Sequence, residues 1–125
     1  MIAYVTLGTH DLARAARFYD ELLAILGARR IWESERSIGW STAPNVPAVS
    51  VIKPYDGNAA SVGNGMMVAL LAGSPEQVVA VHRKALELGG RDEGPAGERG
   101  PGFHMGYFRD LDGNKLAVAF FATAA

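Results

Sequence analysis

Three histidines are the side chains in this sequence best suited to metal binding or proton transfer, because imidazole titrates near neutral pH and is a common metal ligand. His10 precedes the first predicted helix, and we expect it to be solvated. His82 lies on the apolar stripe of a second predicted helix and is expected to pack there. His104 opens a predicted strand, so alternation should point it away from Met105 and Tyr107. We interpret His82 and His104 as structural residues.

The composition narrows the classes of function. Cysteine is absent, which excludes disulfides, thiol catalysis and cysteine-ligated zinc. The net charge is −1, which gives no electrostatic case for nucleic acid or an anionic membrane. No apolar run approaches the roughly 20 residues that span a bilayer, and the N-terminus lacks the pattern of a signal peptide. We expect a cytoplasmic protein without nucleic-acid or membrane partners.

The apolar pattern of the first half predicts its helix and its strands. Residues 2–7 form a short apolar run typical of a strand. From Asp11 onwards, apolar residues recur at spacings of three and four, which predicts a helix with Asp11 as its N-cap and Gly27 at its end. Strands are predicted over residues 29–33, 37–41 and 49–53, and a linker over residues 54–65.

The second half repeats this order. Residues 66–71 are a second short apolar run, and Ser74 and Pro75 begin a predicted helix in which Gln77 occupies the capping-box position. Gly89 and Gly90 should end this helix. Strands are predicted over residues 91–93, 104–109 and 116–121. Residues 94–102, GPAGERGPG, are predicted to form no regular structure, and a mobile lid from which Arg99 reaches an anion is one interpretation.

The two halves align at one constant offset, with Tyr4 on Met67, Asp11 on Ser74 and Gly27 on Gly90. This predicts an α+β fold of two tandem βαβββ modules that form a cupped mixed sheet. The modules should span residues 1–54 and 65–125 within a single domain, residues 1–125. Pairing two such modules would bury the sheet face that one helix leaves uncovered. A ferredoxin-like sandwich without duplication is the alternative.

Three segments resemble the vicinal-oxygen-chelate superfamily of glyoxalases, bleomycin-resistance proteins and extradiol dioxygenases. They are YVTLGTHDLARAARFYDELLAILGA, NGMMVALLAGSPEQVVAVHRKALELGG and GPGFHMGYFRDLDGNKLAVAF, and together they cover nearly the whole chain. The last is similar to the family's closing hairpin, with Leu111 in place of the usual proline. We interpret Asp110 and Asp112 as turn-forming, since aspartate, glycine and asparagine suit tight turns.

The resemblance implies an active site on the concave face of the sheet, where metal-dependent members hold a divalent ion. The corresponding positions here are Tyr4, Met67 and Ala117. A phenol ionises only near a pKa of about 10, a thioether suits soft copper, and a methyl group has no donor atom. We therefore expect no metal and no cofactor in this protein.

Alternation along the strands predicts which side chains face a ligand. The predicted ligand-binding residues are Tyr4, Thr6, Trp40, Met67, Met105, Tyr107 and Ala117. Five of them are expected to line one shared cavity, namely Tyr4, Thr6, Met67, Tyr107 and Ala117. Trp32, Trp40 and Lys53 form a second pattern, since an aromatic ring beside a cation suits a flat or anionic ligand. The hydroxyl-bearing, mostly apolar set led us to expect a neutral or weakly acidic aromatic ligand.

Several functions fit these residues. The first is metal-independent binding of a small, mostly apolar molecule, which the resemblance to the bleomycin-binding branch implies. The alternative is a glyoxalase- or dioxygenase-like enzyme of lyase, isomerase or oxygenase chemistry. It would use the hydroxyls of Tyr4, Thr6 and Tyr107 or an atypical metal site. A purely structural module is a further possibility, since fold does not fix function. The resemblance also implies a homodimer.

Overall fold

The structure, a computed structural model, describes residues 1–122. The last three residues of the predicted second module, 123–125, lie outside the described residues. The first five elements are β1 (Tyr4–Gly8), α1 (Leu12–Ala24), β2 (Arg29–Glu33), β3 (Ser37–Ser41) and β4 (Ala48–Ile52). The next five are β5 (Val68–Leu71), α2 (Pro75–Glu87), β6 (Arg91–Gly100), β7 (Phe103–Arg109) and β8 (Lys115–Phe121).

The first compact unit, Met1–Gly63, is a four-stranded sheet with one helix. Its strand order is β1-β4-β3-β2; β1 runs parallel to β4 and the other pairs are antiparallel. The predicted cap is confirmed, because Asp11 Oδ1 accepts a hydrogen bond of 3.1 Å from the backbone N–H of Arg14. The helix buries its apolar stripe, which comprises Ala15, Ala16, Phe18, Tyr19, Leu22 and Leu23.

The second compact unit, Asn64–Ala125, is also a four-stranded sheet with one helix in its described part. Its strand order is β5-β8-β7-β6, again with a parallel first pair and antiparallel pairs after it. Ser74 caps α2 by accepting from the N–H of Gln77 at 3.1 Å. The side chain of Gln77 accepts from the N–H of Gly73 at 2.7 Å, so this part of the cap reaches one residue further back than a standard capping box.

The two units confirm the predicted fold class of two tandem βαβββ modules. The strand predicted over residues 2–7 and the one predicted over residues 66–71 are both present and occupy the same edge position in their sheets. The second begins only at Val68, so Met67 precedes the strand instead of lying in it. Within residues 1–122, neither helix is long and apolar enough to cross a membrane.

The prediction that residues 94–102 are irregular is wrong, and with it the interpretation as a mobile lid. Most of this segment belongs to the ten-residue strand β6, which pairs with β7 through three register shifts. The strand lies at an edge of its sheet, where Pro95 costs no ladder hydrogen bond to a second neighbour. Gly94 pairs with Tyr107, and a Cβ on Gly94 would lie only 3.0 Å from Cδ2 of that ring. A side chain at position 94 would therefore have to displace the ring of Tyr107 by a few tenths of an ångström.

The closing turn confirms the structural interpretation of Asp110. Its carboxylate is nearly buried and accepts hydrogen bonds of 2.9 Å from the backbone N–H groups of Asp112 and Asn114. The side-chain amide of Asn114 donates a third bond of 2.9 Å to the other carboxylate oxygen. Asp110 thus holds the turn between β7 and β8, which sets the register of that hairpin.

Candidate functional site

One face of the first sheet is covered by α1, and the other, here called the first open face, is not. Side chains paired across neighbouring strands point to the same face. Thr6 pairs with Ser50, Ser50 with Gly39, and Gly39 with Trp32, so these four residues form one row across the first open face. Tyr4 shares this face by alternation along β1, and its side chain is 56% exposed.

Trp32 is the largest side chain of the first open face. Its indole lies on Gly39, and its N–H donates a 3.0 Å hydrogen bond to the hydroxyl oxygen of Ser37. The ring of Tyr4 meets it edge-on, with ring centroids 5.3 Å apart. The arrangement presents two aromatic surfaces beside the exposed Thr6, which suits a flat ligand with a hydrogen-bonding group.

The structure places Trp40 on the other face, against α1. Its side chain is fully buried, its ring packs on Tyr19 at 5.6 Å, and its N–H donates a 2.8 Å hydrogen bond to Asp20. The two tryptophans face opposite sides because a β-bulge between Arg30 and Trp32 shifts the register of β2. We therefore remove Trp40 from the predicted ligand-binding set and put Trp32 in its place.

The sequence of β3 indicates that Trp40 faces the helix. In β3, the large apolar residues Ile38 and Trp40 alternate with Ser37, Gly39 and Ser41. The large set must face the helix, since burial against α1 supplies the hydrophobic stabilisation of the unit. The bulge that turns Trp32 to the open face has no such signal, because it depends on how β2 pairs with β3.

Asp20 ties α1 to the sheet. It accepts hydrogen bonds of 2.9 and 2.7 Å from the guanidinium of Arg30, in addition to the one from Trp40. The bonds from Arg30 are the main cause that holds the pKa of Asp20 below its usual value, and the bond from Trp40 adds to them. Arg30 also pairs with Glu33 at 3.0 Å. This cluster stabilises the first unit and does not face the first open face.

The second sheet likewise has a face that its helix does not cover, here called the second open face. One row across it contains Ala69, Ala117, Tyr107 and Gly94, and a second row contains Leu71, Ala119, Met105 and Gly97. Met105, Ala117 and Ala119 are buried, with Phe103 and Tyr107 packed against them. Ala69 and Leu71 are exposed on β5. The face thus has a floor of small side chains with aromatic rings beside it.

Cations surround the ring of Tyr107. The guanidinium carbon of Arg99 lies 5.9 Å from the ring centroid, and the Nζ atom of Lys115 lies 5.6 Å from it. Both distances are within the range of a cation–π interaction. Lys115 and Arg109 share the carboxylate of Glu93, at 3.7 and 2.9 Å. The sequence pattern predicted Tyr107 on this face but not the cations around it.

The three positions that the resemblance equates with metal ligands do not fit a divalent ion. Tyr4 offers a phenol on the first open face, and Met67 is 42% exposed just before β5. Ala117 is a fully buried methyl group. Within residues 1–122 there is no group of three or more histidine, cysteine, aspartate or glutamate side chains that could hold a metal ion.

The histidines lie where the sequence predicted. His10 is exposed, and His82 is buried on α2, where its Nε2 lies 3.0 Å from Asp92. A backbone N–H from Gly94 is the main cause that lowers the pKa of Asp92, and the bond to His82 adds to it. His104 pairs in register with Phe120, opposite to the second open face.

An open groove of about 660 Å³ lies at the start of α1, away from the first open face. Its lining includes His10, Arg17, Arg30 and Lys53, and a smaller depression of about 280 Å³ shares His10 and Lys53 with it. Lys53 therefore lines a groove that contains neither of the tryptophans with which the sequence grouped it. None of the predicted ligand-binding residues lines either depression.

Two tandem βαβββ units, each with one helix-covered and one open sheet face, define the class of fold. Residues 1–118 match the family described as the Glyoxalase/Bleomycin resistance protein/Dioxygenase superfamily, and the chain belongs to this superfamily.

Solved structures agree with this assignment. A glyoxalase/bleomycin resistance protein from Albidiferax ferrireducens T118 is 32% identical, with a TM-score of 0.87 over 95% of this chain and 97% of that one. A glyoxalase-related enzyme from Fulvimarina pelagi is 24% identical, with a TM-score of 0.73 over 95% and 86%. The latter likeness concerns the fold alone. No curated protein matches the chain in sequence.

Proposed function

We propose that this protein binds a small, mostly apolar molecule without a metal ion. The second open face carries this proposal. The apolar residues that this face exposes are Ala69 and Leu71 of β5, and Leu71 is 71% exposed, while Ala117, Ala119 and Met105 are buried beside them. Exposed apolar surface of this kind is costly in water, and in small proteins it commonly marks a site for a ligand or a partner.

The first open face supports the same proposal with a different chemistry. Trp32 and Tyr4 offer aromatic surface, and the exposed Thr6 offers a hydroxyl that donates or accepts a hydrogen bond. Such groups orient a flat ligand without supplying a full charge. We propose Tyr4, Thr6 and Trp32 as ligand-binding residues of this face, together with Met67, Met105, Tyr107 and Ala117 of the second unit.

Metal independence rests on the donor chemistry of this chain. A phenol, a thioether and a methyl group at Tyr4, Met67 and Ala117 lack the imidazole and carboxylate donors that hold zinc, iron or manganese. Elemental analysis of protein purified without chelators should find less than one equivalent of any transition metal. One equivalent that disappears in Tyr4→Phe would overturn this part of the proposal.

We favour binding over catalysis because the carboxylate of Glu93 is engaged in ion pairs within the protein. It is the carboxylate of the cluster beside Tyr107, and two cations, Arg109 and Lys115, hold it. Its oxygen Oε1 already accepts from Arg109 and lies near the ammonium group of Lys115, so this carboxylate is engaged in ion pairs within the chain. The hydroxyl of Tyr107 is suited to orienting a ligand by hydrogen bonds.

Fluorescence titration with a neutral naphthalene dye, phenylnaphthylamine, tests the proposal. Saturable enhancement with a one-to-one stoichiometry is expected, unchanged after treatment with a strong chelator. The parent must show a cooperative thermal transition, so that dye binding to unfolded chains is excluded. Absence of saturable binding, or binding that the chelator abolishes, would contradict the proposed function.

We also propose that the chain forms a homodimer in the cytoplasm. The strands β1 and β5 are both at sheet edges, where exposed apolar side chains such as those of Tyr4 and Leu71 favour association. A chain without cysteine suits a reducing compartment. Light scattering at micromolar concentration should give twice the mass of one chain. A clean monomer would contradict the dimer.

A further inference from the structure

We propose that the ligand of the second open face is an acid, with its anionic group beside Arg99 and Lys115 and its apolar body against the exposed side chains of Ala69 and Leu71. The inference rests on the proposed function and names the class of ligand: an aromatic or otherwise apolar molecule that carries one carboxylate, sulfonate or similar group.

The position of Arg99 is the first support. Its side chain runs back along β6, because one guanidinium nitrogen donates a 2.5 Å hydrogen bond to the backbone oxygen of Pro95. This brings the guanidinium over the ring of Tyr107 and next to Gly97, whose missing side chain leaves the room it occupies. Arg99 is thus held over the second open face by a neutral acceptor.

The charge balance is the second support. Among residues 1–122, Arg99 forms no ion pair with a carboxylate. Arg109 and Lys115 share the single carboxylate of Glu93. Three cations therefore face one anion around Tyr107, and this corner of the face keeps a positive charge. A ligand anion is the counter-charge that is missing.

Desolvation decides the preference between an acid and a neutral ligand. An apolar molecule that lies on the exposed part of this face displaces water from Lys115, whose side chain is 32% exposed, and from Arg99. Removing water from a cation costs free energy unless an opposite charge replaces it. A neutral ligand leaves this cost uncompensated, whereas an acid offsets it with charge-assisted hydrogen bonds.

The hydroxyl-bearing pattern in the sequence favoured neutral or weakly acidic ligands, and Arg99 was expected to reach an anion only from a mobile lid. That expectation counted the hydroxyls of Tyr4, Thr6 and Tyr107 and treated residues 94–102 as irregular. Only the pairing of β6 with β7 brings Arg99 to Tyr107. Arg109 on β7 and Lys115 on β8 add their positive charges to that of Arg99. No short sequence motif predicts that these three cations lie together.

Two dyes of similar shape and different charge test the inference: the anilinonaphthalene sulfonate anion and neutral phenylnaphthylamine. The parent should bind the anion about tenfold more tightly, as expected for a charge-assisted hydrogen bond in a partly exposed site. Arg99→Gln and Lys115→Gln should each weaken the anion severalfold and change the neutral dye by less than about twofold. Added salt should weaken the anion alone.

Arg83→Gln is the matched control, because it removes one positive charge from the exposed surface of α2 in the same unit. It should leave the binding of both dyes unchanged. Thermal midpoints of all variants identify any that fail to fold. If the neutral dye binds and the anion binds no more tightly, or if Arg99→Gln and Arg83→Gln act alike, the inference is wrong while the proposed function stands. If neither dye binds saturably, the proposed function itself fails.

Discussion

The indole of Trp32 lies so close to Gly39 that a Cβ atom on Gly39 would be 2.5 Å from its ring carbons. The two residues are paired across β2 and β3, next to the bulge that turns Trp32 onto the first open face. The glycine lets the indole lie on the sheet, where its N–H reaches the hydroxyl of Ser37. The aromatic surface of this face therefore depends on a residue without a side chain.

Replacing this glycine tests that dependence. Gly39→Ala should lower the free energy of unfolding by about 1–3 kcal/mol, as overpacking does in cores, because the indole must move. The same change should shift the emission maximum of the protein, since Trp32 moves while Trp40 stays buried under α1. Chemical unfolding and fluorescence spectra measure the two effects.

Gly100→Ala is the control for this substitution. Gly100 also lies in a strand, but nothing lies within 4 Å of where its Cβ would be. We expect its unfolding free energy to stay within about 0.5 kcal/mol of the parent. Equal losses in the two variants would show that the strand conformation, and not the packing of Trp32, is responsible.

Substitutions at two paired alanines distinguish a variant whose second open face is blocked from a variant whose second unit is destabilised. Ala69 is exposed, so Ala69→Trp should keep the fold and abolish binding of the neutral dye by occupying the exposed apolar surface beside Leu71. Ala117 is fully buried beside Met105, so Ala117→Trp should destabilise the protein by more than about 3 kcal/mol. Val79→Trp, on the exposed side of α2, is the control. Unimpaired dye binding in Ala69→Trp would contradict the site.

The pair between Asp20 and Arg30 predicts a loss of stability in acid. Because the folded protein holds the pKa of Asp20 below its usual value, its contribution is complete above the unfolded pKa of about 3.9. That contribution is lost as the pH falls through the lower folded pKa. The side chain is 40% exposed, so solvent screening reduces the effect of Asp20→Asn to about 1 kcal/mol at neutral pH.

Unfolding curves between neutral pH and acid check this prediction. The difference between the parent and Asp20→Asn should shrink as the pH falls below about 4, where the parent loses the charge. Glu21→Gln, at the exposed neighbouring position of α1, should change the stability little at any pH. A difference for Asp20→Asn that is constant with pH would mean that the charge of Asp20 contributes nothing.

Asp110 should be the most sensitive polar residue of the closing hairpin. Asp110→Ala removes three hydrogen bonds of 2.9 Å and leaves their donors without this acceptor, so we expect a loss of about 2–3 kcal/mol. Asp56→Ala tests the same kind of turn at an exposed site, where Asp56 accepts from the N–H of Asn58 at 2.9 Å. There we expect about 0.5 kcal/mol. Thermal unfolding compares them, and equal losses would show that burial of the Asp110 turn has no effect.

The local elements of this fold could be predicted from the sequence because their signals are short-range. Asp11 and Ser74 begin the helices, and a helix stripe repeats every three to four residues. Because the two halves align at a constant offset, these local elements also predicted the duplicated βαβββ architecture, which the structure confirms. Strand alternation also placed His104 opposite to Tyr107, since two residues of one regular strand determine each other's side.

The pairing between strands determined which side chains lie on the open faces, and the sequence did not predict this pairing. Regular pairing of β2 with β3 would place both tryptophans on the helix-covered face, and the bulge before Trp32 turns that residue alone to the first open face. In the second unit, Arg99 lies over Tyr107 in a strand whose register shifts along β7. A bulge adds one residue to one strand of a pair and reverses the facing of every later side chain. Its position depends on a partner strand, so only the tertiary structure determines which aromatic rings and which cations lie on the open faces.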